Sequence, residues 1–286
     1  MQSEQKYMED VMKQQFKTEW ERMINGRMFW ISILVGCVIS LVQIVMEVIP
    51  RAMDILGVYS GRVGEPRSVY MYWMGMNYAS PYKEIFLTIL PILAMMPHAL
   101  SYYMDCKSGY VKSIYTRTKR INYLSAKYII TFISGGIVII IPYLLNLLIS
   151  VCMLPALNPI RNGQYQSSGS LFQGILYDKP VVYIVVFLII NFVFAGMFAT
   201  IVLTFTHIID NIFLVSMMPF IGWYGLAIIN KCLIIKGIEI DINPMTIVDM
   251  SQPTIIKGYE LIGTFLIVAV PTCVMYFMNG VKSDAL

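Results

Sequence analysis

Two histidines, five cysteines and a thin scatter of carboxylates are the side chains from which this 286-residue chain would have to build any catalysis. His98 and His207 lie in different apolar runs, and neither has the His-Glu-x-x-His context that would place two imidazoles and a carboxylate on one helical face for a hydrolytic zinc. His98, beside Pro97, reads as a structural or pathway-facing polar group. Cys37, Cys106, Cys152, Cys232 and Cys273 are odd in number and form no C-x-x-C pair, so they read as buried thiols and not as a disulfide framework or metal site. No nucleophile elbow of the form G-x-S-x-G occurs. A phosphate-cradling loop needs G-x-x-x-x-G-K-[ST]; the nearest fragment, Gly280 to Ser283 ("GVKS"), lacks the first glycine. The expectation is therefore no catalytic residues, no metal and no ATP hydrolysis on this chain.

Charge is the other source of chemistry, and its placement is uneven. Residues 104 to 128, "MDCKSGYVKSIYTRTKRINYLSAKY", crowd Lys107, Lys112, Arg117, Lys119, Arg120 and Lys127 around Asp105 as the sole acid. Elsewhere Glu47 and Lys231 fall late in two apolar runs, where each is costly against lipid. They either meet across one cavity or snorkel separately to headgroups. A net charge of +4 is too scattered to indicate nucleic acid.

The elements that must hold these residues follow from composition. With 57% hydrophobic and 13% charged residues and a mean hydropathy of +0.67, the solvent is a bilayer. Six runs are long enough, at about 20 residues each, to cross roughly 30 Å of hydrocarbon: 28–49, 84–104, 127–154, 180–206, 211–234 and 258–279. The first is too long for a signal-peptide core and reads as retained. A cytoplasmic N-terminus puts the dense basic connection of 105–126 inside, as the positive-inside rule asks, with the C-terminus inside as well. The fold class is an all-α integral membrane protein, with residues 1–27 as an amphipathic interfacial helix and 28–286 as a six-helix transmembrane domain.

Two shorter patterns refine this. Met8, Met12, Phe16, Trp20 and Met23 follow one helical stripe opposed by Glu9, Lys13, Lys17, Glu21 and Arg22, which suits a helix lying in the interface before Gly26 turns the chain into the first span. Between spans 2 and 3, Val111, Ile114 and Tyr115 recur at i, i+3 and i+4 after Gly109, which describes a short helix on the cytoplasmic membrane surface. Ala195 with Ala199, and Gly135 with Gly136, offer smooth faces for close helix contact. Before the last span, Ile242 to Thr254 ("INPMTIVDMSQPT") is too short and too interrupted to cross.

At these residues the chain resembles the permease subunits of ABC-2-type transporters. Asp105, Gly109, the run Tyr110 to Arg120 and then "YLSAK" from Tyr123 to Lys127 match that family's acid and glycine after span 2, its short helix and its basic-aromatic lead into span 3. Asp105 stands where the family more often has Glu, and "YVKS" replaces its usual "TLE". The resemblance implies a coupling helix that docks on a separate ABC ATPase, with ATP and magnesium on that partner. Asp105, Gly109, Val111, Lys112, Ile114, Tyr115, Arg117, Lys119 and Arg120 would form the coupling surface, with Val111, Ile114 and Tyr115 as packing knobs. It also implies a second permease copy, identical or not, export of a hydrophobic or amphipathic cargo across the cell membrane, and a short re-entrant or outer helix over Ile242 to Thr254 in which Asp249 caps or gates. The competing expectations are a non-transporting sensor or assembly module and a secondary carrier.

Overall fold

The computed structural model describes residues 2–53, 68–116, 118–159 and 169–282, with side chains from Met12 to Val281 within those ranges. Every regular element among them is a helix, and six helices are long and apolar enough to cross a membrane. Helix α1 (Gln2–Ile24) precedes them. The six are α2 (Arg27–Met53), α4 (Pro81–Lys107), α6 (Arg120–Met153), α8 (Pro180–Phe205), α9 (Ile212–Ile235) and α11 (Gly258–Lys282). Short helices fill the connections: α3 (Val69–Tyr72), α5 (Tyr110–Tyr115), α7 (Gln173–Asp178) and α10 (Pro244–Val248).

Prolines shape the long helices. Within α2 the backbone widens to a π-helix over Ile44–Val48, directly before Pro50, which has no N–H to continue the α ladder. Helix α4 breaks at 96–98, around Pro97, and restarts at Ala99. Polar side chains start others: Asn211 accepts the Phe213 and Leu214 amides at the head of α9, and Asn243 accepts the Met245 amide at the head of α10.

Helices α6 and α8 form the centre of the bundle and approach closely, as their small residues allow. A side chain at Gly135 would meet the Ala199 methyl at 2.8 Å, and one at Gly196 would meet the Phe132 carbonyl at 2.5 Å. Around this seam Phe86, Tyr143, Phe187, Phe194, Phe198 and Trp223 are fully enclosed. The outward faces are apolar too: Leu34, Val45, Ile189, Ile228, Ile267 and Val274 are exposed, a surface suited to lipid.

The connections gather at two ends. At one, here the basal end, α1 bonds to the end of α4, Lys107 to Asp210 in the 206–211 turn, and Arg120 to the carbonyl of Val281. At the distal end, Ser68 and the Val69 amide bond to the carbonyls of Leu157 and Pro155. Helix α6, at 34 residues, is about 51 Å long at 1.5 Å per residue against roughly 30 Å of hydrocarbon. The helix is therefore longer than a span needs, and its polar residues gather in its first turns, from Arg120 to Lys127.

Candidate functional site

Three chain segments bring charge to one point at the basal end. Glu19 and Arg22 stand one turn apart on α1, Asp105 ends α4, and Lys127 lies two turns into α6. A tight turn at Asn25 and Gly26, with the Trp30 indole N–H bonded to the Ile24 carbonyl at 2.8 Å, fixes how α1 leaves α2.

The Lys127 ammonium donates to Glu19 Oε2 and to Asp105 Oδ2, both at 2.7 Å. The Arg22 guanidinium donates from Nη2 to Asp105 Oδ1 at 2.7 Å, and from Nη1 to Asp105 Oδ2 at 3.0 Å and Glu19 Oε1 at 2.9 Å. The Tyr123 hydroxyl adds a bond to Asp105 Oδ2 at 2.8 Å. His98 Nε2 lies 3.2 Å from Glu19 Oε2, within ion-pair distance but off the hydrogen-bond line. Glu19 and Lys127 are 0% exposed, His98 2% and Asp105 4%. Two carboxylates against one ammonium and one guanidinium sum to zero with His98 neutral. Burial alone would push the Glu19 carboxyl up. His98, the Lys127 charge and hydrogen bond, and the Arg22 charge outweigh that and hold it at about 2 instead of its ordinary 4.5. On the other side, the bond to Asp105 raises the Arg22 guanidinium further above its already high value.

The short helix α5 hangs directly from this cluster. Gly109 takes the left-handed φ of 74° that turns the chain out of α4. Val111 and Ile114 are buried against Tyr102, Tyr123, Leu124, Leu203 and Tyr276, with Tyr115 half-buried beside them. Val111 and Ile114 thus turn their apolar side chains to the chain's own bundle, and Tyr115 does so in part. The residues left outward are Tyr110, Lys112, Ser113, Thr116 and Lys119. Arg22 sits over the Tyr110 ring at 5.2 Å and Arg120 over the Tyr115 ring at 5.1 Å. Arg117, Met8 and Glu9 lie outside the described side chains.

Sequence reasoning found Asp105 and Lys127 as part of a basic stretch, but missed Glu19, Arg22 and His98 as their partners. A signal existed in α1: Phe16, Glu19 and Met23 share one face, so a carboxylate falls on the buried stripe. On that stripe Met12 and Trp20 are exposed, while Met23 is 1% exposed.

The structure does not bring Glu47 and Lys231 together. Glu47 accepts from Gln43 and Asn77 amides and the Ser80 hydroxyl, each at 2.8 Å, while Lys231 is exposed on α9. Glu47 thus meets its demand for donors with neutral groups from nearby segments. Asp249 is instead bonded by Lys83. His207 packs at the basal end, its Nε2 2.8 Å from the Tyr102 hydroxyl. Among the described residues no three His, Cys, Asp and Glu side chains are grouped to hold a metal. No protein-family model matches the chain, and neither curated proteins nor solved structures give a match.

Proposed function

We propose that this chain is the membrane-spanning permease subunit of an ATP-driven exporter, working beside a second permease copy and powered by separate ABC ATPase subunits that hold ATP and magnesium. The single observation that carries this reading is the buried ionic cluster at the root of α5. A surface helix that only marked topology would need no such mounting. Here Asp105, four residues before Gly109, is bonded simultaneously to α1 through Arg22 and to α6 through Lys127 and Tyr123. Val111 and Ile114 pack on the same two long helices, α4 and α6, through Tyr102, Tyr123 and Leu124. A push on α5 is therefore delivered to α1, α4 and α6 as one body, because neither the packed core nor the charge-assisted bonds deform gradually.

In this reading the basal end is cytoplasmic, α1 lies along the inner interface of the cell membrane with Met12 and Trp20 toward lipid, and the ATPase meets α5 on its outward face. Lys112 and Lys119 supply charge there, with Tyr110, Ser113 and Thr116 between them. The cargo is hydrophobic or amphipathic, in keeping with spans whose open faces carry almost no charge.

The test is affinity purification from native membranes in mild detergent, with mass spectrometry for a P-loop subunit in stoichiometric amount. The expected result is its recovery with the parent chain and its loss, by tenfold or more, from K112E/K119E, whose substitutions lie outside the ionic cluster. If no such subunit is recovered even after crosslinking, the exporter reading falls and the fold is that of a sensor module or a carrier.

A further inference from the structure

The distal end holds a second buried ion pair, which the coupling described above does not use. Lys83, 2% exposed, stands in the first turn of α4. Its ammonium donates to Asp249 Oδ1 at 3.0 Å, Asp249 Oδ2 at 2.8 Å and Ser251 Oγ at 2.7 Å. Asp249 follows α10 in a stretch of irregular backbone that is nonetheless enclosed: Met250 is 1% exposed, Gln252 0% and Ile256 1%. Non-helical backbone inside a bundle must find its hydrogen bonds from side chains, and this stretch does. The Asn191 amide donates to the Val248 carbonyl at 2.9 Å and the Tyr183 hydroxyl to the Met250 carbonyl at 2.7 Å. Gln252 adopts a φ of 42°, a costly value for a side-chain-bearing residue that persists only where surroundings impose it. Residues 244–256 are thus a plug clipped into the bundle by its neighbours, and Lys83–Asp249 is its ionic clip.

Beside the clip sits a carboxylate, Glu47, that takes no cation among the described residues. Glu47 belongs to the π-helical turn of α2, a backbone form that recurs at functional sites. Its bonds come from Gln43, Asn77 and Ser80. The same Ser80 hydroxyl accepts the Lys83 backbone N–H, so Glu47 lies against the first turn of α4, three residues along the helix from Lys83.

We infer that residues 244–256 form a gate over the distal end of the bundle, latched by Lys83–Asp249, and that Lys83 passes from Asp249 to Glu47 when the gate opens. In either state one carboxylate holds the ammonium and the other takes neutral donors, so the summed charge of the three groups is unchanged. Only partners are exchanged, which is what a two-position element requires. That the gate passes exported cargo rests on the permease reading; the latch itself does not.

The experiment places a single thiol at Met250 (M250C) in a background where all five native cysteines, Cys37, Cys106, Cys152, Cys232 and Cys273, are serine. Its labelling by a hydrophilic maleimide is timed in nanodiscs without ATP or cargo. Labelling should be slow in this parent, at least tenfold faster with D249N, and no faster than the parent in the charge swap K83D/D249K. The decisive variant is E47Q, which leaves the bridge intact and should slow labelling severalfold, because the open state loses its acceptor. Unchanged labelling in D249N would overturn the latch, and labelling in E47Q as fast as the parent or faster would overturn the exchange. Should D249N not give monodisperse protein, E47Q alone decides. Neither readout depends on whether an ATPase partner exists.

Discussion

Replacing Lys127 with methionine, which keeps length and bulk but removes the charge, strikes the basal cluster at its centre. The ammonium is fully enclosed and bonds both carboxylates at 2.7 Å. Without it, Glu19 and Asp105 share only Arg22, and the buried sum moves from zero to minus one. Breaking a buried ion pair from one side costs about 3–5 kcal/mol, because a charge is stranded away from water. For a chain of this size roughly 2–4 °C of melting temperature accompanies each kcal/mol, so a loss of about 6–12 °C is expected at the lower bound of that cost. The double variant E19Q/K127M leaves Asp105 against Arg22, restores the sum to zero and should regain much of the loss. The difference between the double variant and the two single ones should reach about 2 kcal/mol, within the range found for residues in direct contact. Thermal melting of purified protein measures the cycle, and hydrogen exchange over residues 12–24 reports whether α1 has come loose. A K127M melting temperature within about 2 °C of the parent, with unchanged exchange in α1, would refute the claim that this cluster holds the basal end together.

Acidification should release the same contact. With the Glu19 carboxyl depressed in the fold to about 2, its contribution is complete above its ordinary value near 4.5 and disappears as pH falls through that window; melting curves from pH 6 to pH 2.5 should steepen there for the parent and flatten for E19Q. The α6–α8 seam predicts a contrast between two glycines. G196V drives a side chain into the Phe132 carbonyl and should cost several kcal/mol by overpacking, about 1–3 or more, whereas G225A, with open space around it, should be neutral or slightly stabilising. Melting temperatures of the pair check both.

Much of the fold was legible because apolar run length is a strong signal. The expected runs of 180–206, 211–234 and 258–279 lie within one to three residues of the helices observed. The largest discrepancy, α6 beginning at Arg120 and not at 127, has a plain cause: its first turns are helical but polar, and hydropathy reports solvent, not conformation. A helix was expected after Gly109 and forms at Tyr110–Tyr115, but the direction of its apolar face was not readable. Periodicity says that Val111 and Ile114 need cover, and leaves open whether the bundle or a partner supplies it. The ionic cluster was hidden for a different reason, since its partners are separated by 83 residues between Arg22 and Asp105 and by 108 between Glu19 and Lys127. Residues that far apart share no local pattern, and for the same reason the sequence leaves open whether Glu47 and Lys231 meet or stand apart, as they do in the fold.

That separation also orders the birth of the protein. Glu19 and Arg22 are made first, yet the groups that neutralise them arrive only with residues 105 and 127. Until α4 and the start of α6 have emerged and inserted, α1 carries charges with nowhere dry to put them and must wait at the aqueous surface. Its docking then closes a loop that already contains two complete spans, so α1 can take its final place only after the third span has begun.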